Sequence, residues 1–195
     1  MKESNDSLET VDALRDVEQI NAMKNYLKEH SYRDYLLFVV GINTGLKISE
    51  LLLIKVKELL NSEGEMKDFY HYSELESEGR QSVYLNKKVK EAIKFYLDQV
   101  NSEEQIYLFQ SRKFKQPITR QQAYRIIHDA AVKVGIEGKI GTNSLAKTFG
   151  FHAFKQGVSI ALLQKHFNHS TPSETLKFLG ITKEDLITTQ IDVNL

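Results

Sequence analysis

Thr142-Asn143-Ser144-Leu145-Ala146-Lys147-Thr148-Phe149-Gly150 begins a helix expected from about Asn143 to Gln156. Gly157 separates it from a second helix, about Ser159 to Phe167. Thr171-Pro172-Ser173-Glu174 then combines a cap, a proline at the first helical position and a capping-box glutamate. The third helix so opened carries Phe178. The C-terminal part of the chain is therefore read as three short helices in close succession.

Working back from this stretch, helical periodicity continues, and the whole sequence holds only two prolines. The Thr119 to Gln122 capping box opens a helix with Ala123, Ile126, Ile127, Ala130 and Val134 inward, ending at Gly135. A helix at about Lys87 to Val100 places Val89, Ile93, Leu97 and Val100 on one face. Between Asn61 and Leu85 the character changes. Ser62-Glu63-Gly64 marks a turn, Phe69 to Tyr72 and Gln81 to Leu85 read as short strands, and Glu78-Gly79 falls near a hairpin tip. Ile48 to Ile54 reads as a short amphipathic helix with Leu51, Leu52 and Ile54 inward. Tyr35 to Val40 is a buried helical run ending at Gly41, with Gly45 as a further break. Asp16 to Gln19 caps a helix with Ile20, Met23 and Leu27 on its apolar stripe, and residues 1–14 are expected as a flexible tail. The fold class is mainly α with one small β-hairpin.

With 195 residues, one compact unit is the expectation. The absence of cysteine removes disulfides, thiolate metal sites and cysteine nucleophiles, and fits a cytoplasmic protein. No apolar stretch approaches the roughly 18 residues that span a bilayer, so no membrane association is expected. Net charge is zero, but unevenly distributed. Residues 1–110 carry 14 Lys/Arg against 20 Asp/Glu, residues 111–170 carry 10 against 2, and residues 171–195 carry 2 against 4. The central block suits a phosphate-tracking surface, and equally a solvated lysine-rich helical face. The stretch from Glu58 to Glu78 has seven acidic residues against Lys67 alone, which opposes DNA there.

Four stretches in order resemble the phage-integrase (tyrosine recombinase) family. Thr44-Gly45-Leu46-Lys47-Ile48-Ser49-Glu50-Leu51-Leu52 is similar to its TGLR-[IV]-SELL motif, with Lys47 at the first catalytic arginine. Gln81-Ser82-Val83-Tyr84-Leu85-Asn86 looks like the end of its lysine-bearing hairpin, and counting back from Val83 sets Glu76 at the lysine. The opening stretch resembles T-H-x-L-R-[KH]-T-F, with Asn143 at the histidine and Ala146 at the second arginine. Leu162 to Ser170 is similar to LLQxxLGHS, with His169 at the later His or Trp. Nine residues on, Phe178 stands at the tyrosine nucleophile.

The resemblance implies an integrase-like catalytic-domain fold over residues 15–182, a C-terminal segment over 183–195, and no core-binding domain ahead of it. It also implies a reaction in which tyrosine attacks a DNA phosphate while two arginines stabilise the charge that gathers on the oxygens. Lysine offers a point charge in place of a planar fork of donors. Alanine offers neither charge nor hydrogen bond, and asparagine does not exchange protons near neutral pH. Phenylalanine has no oxygen and forms no covalent intermediate. No catalytic residue is therefore expected to function. Thr175 and Ser173 lie close in sequence, without an activating base in view.

Double-stranded DNA is the expected partner, contacted by Lys47, Arg112, Lys113, Lys115, Arg120, Arg125, Lys147 and His169, with a homo-oligomer or an active recombinase as a further partner. An interaction module without DNA binding, and an enzyme with a substitute or partner-supplied nucleophile, are the rivals. Lys47 also reads as a solvent-facing lysine at a helix start, His169 as a helix-end histidine, and Phe178 as a core aromatic. His152, His166 and His169 lack the carboxylate or cysteine company of a metal site, so no metal, cofactor or small-molecule substrate is expected.

Overall fold

A computed structural model describes residues 11–72, 81–100, 104–182 and 185–186. The order is α1 (Val17–His30), α2 (Tyr32–Thr44), α3 (Ile48–Leu52), a 3-10 turn (Val56–Leu59), β1 (Phe69–Tyr72), β2 (Gln81–Tyr84), α4 (Lys87–Leu97), α5 (Arg120–Lys133), α6 (Thr142–Lys155), α7 (Ile160–Phe167) and α8 (Pro172–Leu179). β1 and β2 form an antiparallel pair in which Phe69 faces Tyr84 and Tyr72 faces Gln81. The expected hairpin tip lies outside the described residues. Among those residues no helix is long and apolar enough to cross a membrane.

The helix ends follow side-chain chemistry. Thr119 accepts from the Gln122 amide at 3.1 Å while Gln122 accepts from the Thr119 amide at 2.9 Å, the reciprocal box read from the sequence. Thr171 accepts from the Glu174 amide at 3.1 Å, with Pro172 leading α8. Several expected boundaries shift, α3 among them, which stops at Leu52, short of Ile54. α4 stops at Leu97, short of Val100. α2 continues through Gly41 to Thr44, and that glycine is a site of close approach to α6: a Cβ there would sit 2.6 Å from Leu145 Cδ1.

α6 is the spine, since its neighbouring residues serve two apolar clusters. Leu145 belongs to the larger one, built from α1 to α5, with Phe38, Phe109 and Ile93 fully buried. Ala146 belongs to a smaller one with Leu163, Phe167, Leu179 and Ile181. Gly150 lets α8 and α7 close on α6; a Cβ there would meet Leu179 and lie 2.9 Å from Phe167 Cε2.

Residues 11–14, expected within a loose tail, are instead bound. Leu14 is 1% exposed and its amide donates to Thr148 Oγ1 at 2.9 Å. The Asp12 amide donates to the Lys139 carbonyl at 2.8 Å. His152 Nε2 lies 2.8 Å from the Leu14 carbonyl. Burying Leu14 offsets the ordering of this short segment. Arg15 extends the attachment by donating to the Gly180 carbonyl and lying 4.6 Å over the Phe151 ring.

Candidate functional site

Lys47 stands immediately before α3, exposed, and its amide donates to Glu50 Oε2 at 2.7 Å. The turn that presents it depends on Gly45, which has φ 68° and no room for a side chain, since a Cβ would lie 2.7 Å from His166 Nε2. That glycine brings the end of α2 against α6 and α7. His166 sits 4.9 Å from the Phe149 ring. Burial lowers its pKa, opposed by the Thr44 backbone, although Nε2 makes no hydrogen bond of good geometry.

Asn143 is exposed in the first turn of α6. Ala146, three residues on and so on the same side of the helix, is 5% exposed within the smaller cluster. His169 follows Asn168, whose left-handed conformation (φ 53°) ends α7. Its Nδ1 lies 3.0 Å from Thr175 Oγ1, and its ring packs 5.5 Å from Phe167 and 5.1 Å from Phe178. Burial lowers the His169 pKa, Glu174 opposes that shift, and the charge of Lys47 adds to it. Phe178, half-buried on α8, lies 5.1 Å from Phe167 and 5.3 Å from the Lys147 ammonium.

The fold thus draws together the positions found from sequence at 47, 146, 169 and 178, with Asn143 at the head of the same helix as Ala146. Glu76 lies outside the described residues. Arg112, Lys113, Lys115, Arg120 and Arg125 are all exposed. Lys147 is placed differently from these cations. It is 9% exposed, donates to the Val11 carbonyl at 2.8 Å and covers Phe178, so its charge is directed inward. Burial lowers its pKa, opposed by Asp12.

Two features escaped the sequence reading. The 11–15 strap had a faint signal in apolar Val11 and Leu14 within a polar segment. The pairing of Thr175 on α8 with His169, in the link between α7 and α8, is a contact for which the sequence carries no distinctive mark. His152, His166 and His169 are engaged separately, and among the described residues no three metal-ligating side chains cluster.

A mainly helical domain in which a post-α2 turn, a central helix, a histidine after α7 and an aromatic on α8 converge has the form of an integrase or tyrosine-recombinase catalytic domain. The chain belongs to the phage integrase family, which residues 14–184 match. It is 38% identical over 174 residues to the probable integrase/recombinase YoeC of Bacillus subtilis, covering 89% of this chain and 92% of that protein. The crystal structure of XerA recombinase superposes with a TM-score of 0.74 at 20% identity, over 96% of this chain and 64% of that one. XerH site-specific recombinase bound to its palindromic difH substrate gives 0.71 at 16% identity, over 96% of this chain and 54% of that one. The chain thus spans less than two thirds of the two recombinases of solved structure.

Proposed function

We propose that this chain is a DNA-binding member of the integrase family that does not cleave DNA. The observation that carries the reading is Phe178: the α8 position holding the family's nucleophile presents a ring packed on Phe167, His169 and the Lys147 ammonium, with no oxygen to attack phosphorus. The rest of the site agrees. Ala146 leaves the second arginine's place apolar, and Lys47 supplies a point charge that holds a phosphate without gripping paired oxygens. Losing one such donor commonly costs about 10²- to 10³-fold in rate.

The Thr175 hydroxyl is no substitute, although His169 stands beside it. It is 0% exposed and donates back to the Thr171 carbonyl at 3.4 Å, which keeps it from a phosphodiester. Binding is assigned to the exposed cations Arg112, Lys113, Lys115, Arg120 and Arg125, with Lys47 and His169 nearer the α8 site. The fold neighbours XerH recombinase, seen with its difH substrate, and the Tn1549 transposon integrase, seen in complex with transposon right end DNA, support DNA as the partner. A second copy of this chain, or an active recombinase whose activity it modulates, would be the protein partner on that DNA.

Titration of duplex DNA at two salt concentrations tests the binding half. Affinity is expected to fall steeply, with a log–log slope of about −0.9 for each phosphate neutralised. No binding at low salt, or binding indifferent to salt, overturns it. In the latter case, capture of protein partners that persists at high salt would favour an interaction module.

A further inference from the structure

We propose that the loop around Arg112-Lys113-Phe114-Lys115 is a contact for unpaired nucleotides, in which Phe114 stacks on an exposed base and the three cations hold the flanking phosphates. This rests on the DNA-binding reading above and deepens it by naming the form of DNA preferred.

The loop is built as a firm stem with an open tip. Leu108 and Phe109 before it are 0% exposed and Ile118 after it is 3% exposed, so both strands of the stem are rooted in the core. Gln110 and Pro117 form an antiparallel bridge, the Ser111 amide donates to the Gln116 carbonyl at 2.8 Å, and the Ile118 amide donates to the Phe109 carbonyl at 2.9 Å. Arg33 adds a brace by donating to the Gln110 carbonyl at 3.3 Å. Within the tip, the Lys113 amide donates to Ser111 Oγ at 3.3 Å, and residues 112–116 are all exposed.

Phe114 is 67% exposed, more than any other large apolar side chain among the described residues. The remaining exposed apolar side chains are either paired with one another or unsuited to stacking. Phe69 and Tyr84 cover one another across the hairpin at 5.5 Å, Tyr32 and Phe95 pair at 4.9 Å, and Tyr124 stacks on His128 at 5.4 Å. Leu53, Val132 and Leu162 are aliphatic and offer no face on which a base would stack. Phe114 has no ring partner, and Arg112, Lys113 and Lys115 have no ion-pair partner among the described residues. Segment 111–116 contains no acidic residue.

An exposed ring flanked by three cations, with Glu104 lining the cavity beside Arg112, matches a ligand with a flat apolar face and negative charge on either side. Nucleotides have that form. Within intact duplex the base faces are already stacked, so the ring gains most where bases are unpaired, and such stacking tolerates any base. The cations contribute on paired and unpaired DNA alike.

The test measures binding of the full chain, by fluorescence anisotropy at one low salt concentration, to a fully paired duplex and to the same duplex with a central unpaired tract. Wild type is expected to favour the unpaired tract. Phe114→Ala should lose about 5- to 150-fold of affinity for it, the worth of one base–aromatic stack, while changing paired-duplex affinity by less than about twofold. Phe114→Trp should retain the preference, and R112A/K113A/K115A should weaken both substrates. Because the ring lies outside the core, truncation leaves the fold intact, which circular dichroism checks. Crosslinking to 5-bromodeoxyuridine in the unpaired tract should map to the peptide containing Phe114. Equal binding of both substrates by wild type, or an unpaired-tract affinity unchanged in Phe114→Ala, overturns the inference and leaves the DNA-binding reading standing. Absence of binding to either substrate overturns both. Phe114-dependent capture of polyglutamate as strong as that of the unpaired tract would assign the loop to acidic polypeptide instead.

Discussion

Lys147 separates a structural cation from a DNA-binding one, and Lys147→Met is the perturbation that reveals which it is. Methionine keeps the length of the stem and removes the ammonium. The lost hydrogen bond to the Val11 carbonyl has a charged donor at 2.8 Å, a class worth about 1.5–3 kcal/mol. Its acceptor residue is half-exposed, so water recovers part of that. Loss of the contact with the Phe178 ring at 5.3 Å removes about 0.5–1 kcal/mol. Burial disfavours the charged amine, as its lowered pKa indicates, so neutralisation returns some of the total. The net loss is about 1–2 kcal/mol, a fall in Tm of roughly 2–8 °C for a domain of this size. Thermal unfolding followed by circular dichroism measures it, and duplex titration at two salt concentrations is run alongside. The salt slope should be unchanged and the affinity should stay within about twofold, since a lysine directed inward neutralises no phosphate. An unchanged Tm with a slope reduced by about 0.9 would refute the reasoning and return Lys147 to the DNA surface.

Gly150→Ala drives a methyl against Leu179 and Phe167. The overpacking cost of about 1–3 kcal/mol exceeds the helix-propensity gain of up to about 1 kcal/mol, so urea midpoints should fall. For His166 and His169, burial lowers the folded pKa below the ordinary value of 6.5. The unfolded chain therefore binds protons first on acidification, and this contribution to stability, complete above 6.5, is lost as pH falls through the folded values. Melting at neutral pH and at pH about 5 should show the loss, reduced in His166→Gln, and a stability flat across that window contradicts the burial argument. Arg120→Ala and Arg125→Ala should each shrink the salt slope of duplex binding by about 0.9, and no change in either would remove α5 from the interface.

Much of this architecture was legible because its signals are local. The cap at Thr119 with Gln122, the proline opening α8 and the apolar stripe Ile20-Met23-Leu27 are all written within one or two helical turns, and each element formed where its residues indicated. Gly41 looked like a break and is instead a place of close helix approach, a distinction set by Leu145, about a hundred residues away in sequence. The placement of Lys147 was hidden for the same reason. A lysine in a basic segment reads as surface, and only the return of residues 11–14 along α6 turns it inward. Positions 47, 146, 169 and 178 were picked out through motif spacing, which does not depend on which residue stands at each of them. The neighbours that decide that chemistry, Thr175 beside His169 and the ring cluster around Phe178, arise from packing.

The central claim is that the whole site, and not Phe178 alone, has left catalysis. Wild type and Phe178→Tyr, each incubated with a nicked suicide duplex and resolved on a denaturing gel, test it most directly. Wild type should give no covalent protein–DNA band. Phe178→Tyr should give none either, because Ala146 and Lys47 leave the transition-state charge without its paired donors. A covalent adduct with wild type would contradict the claim outright, and one with the single variant would show that only the nucleophile is missing.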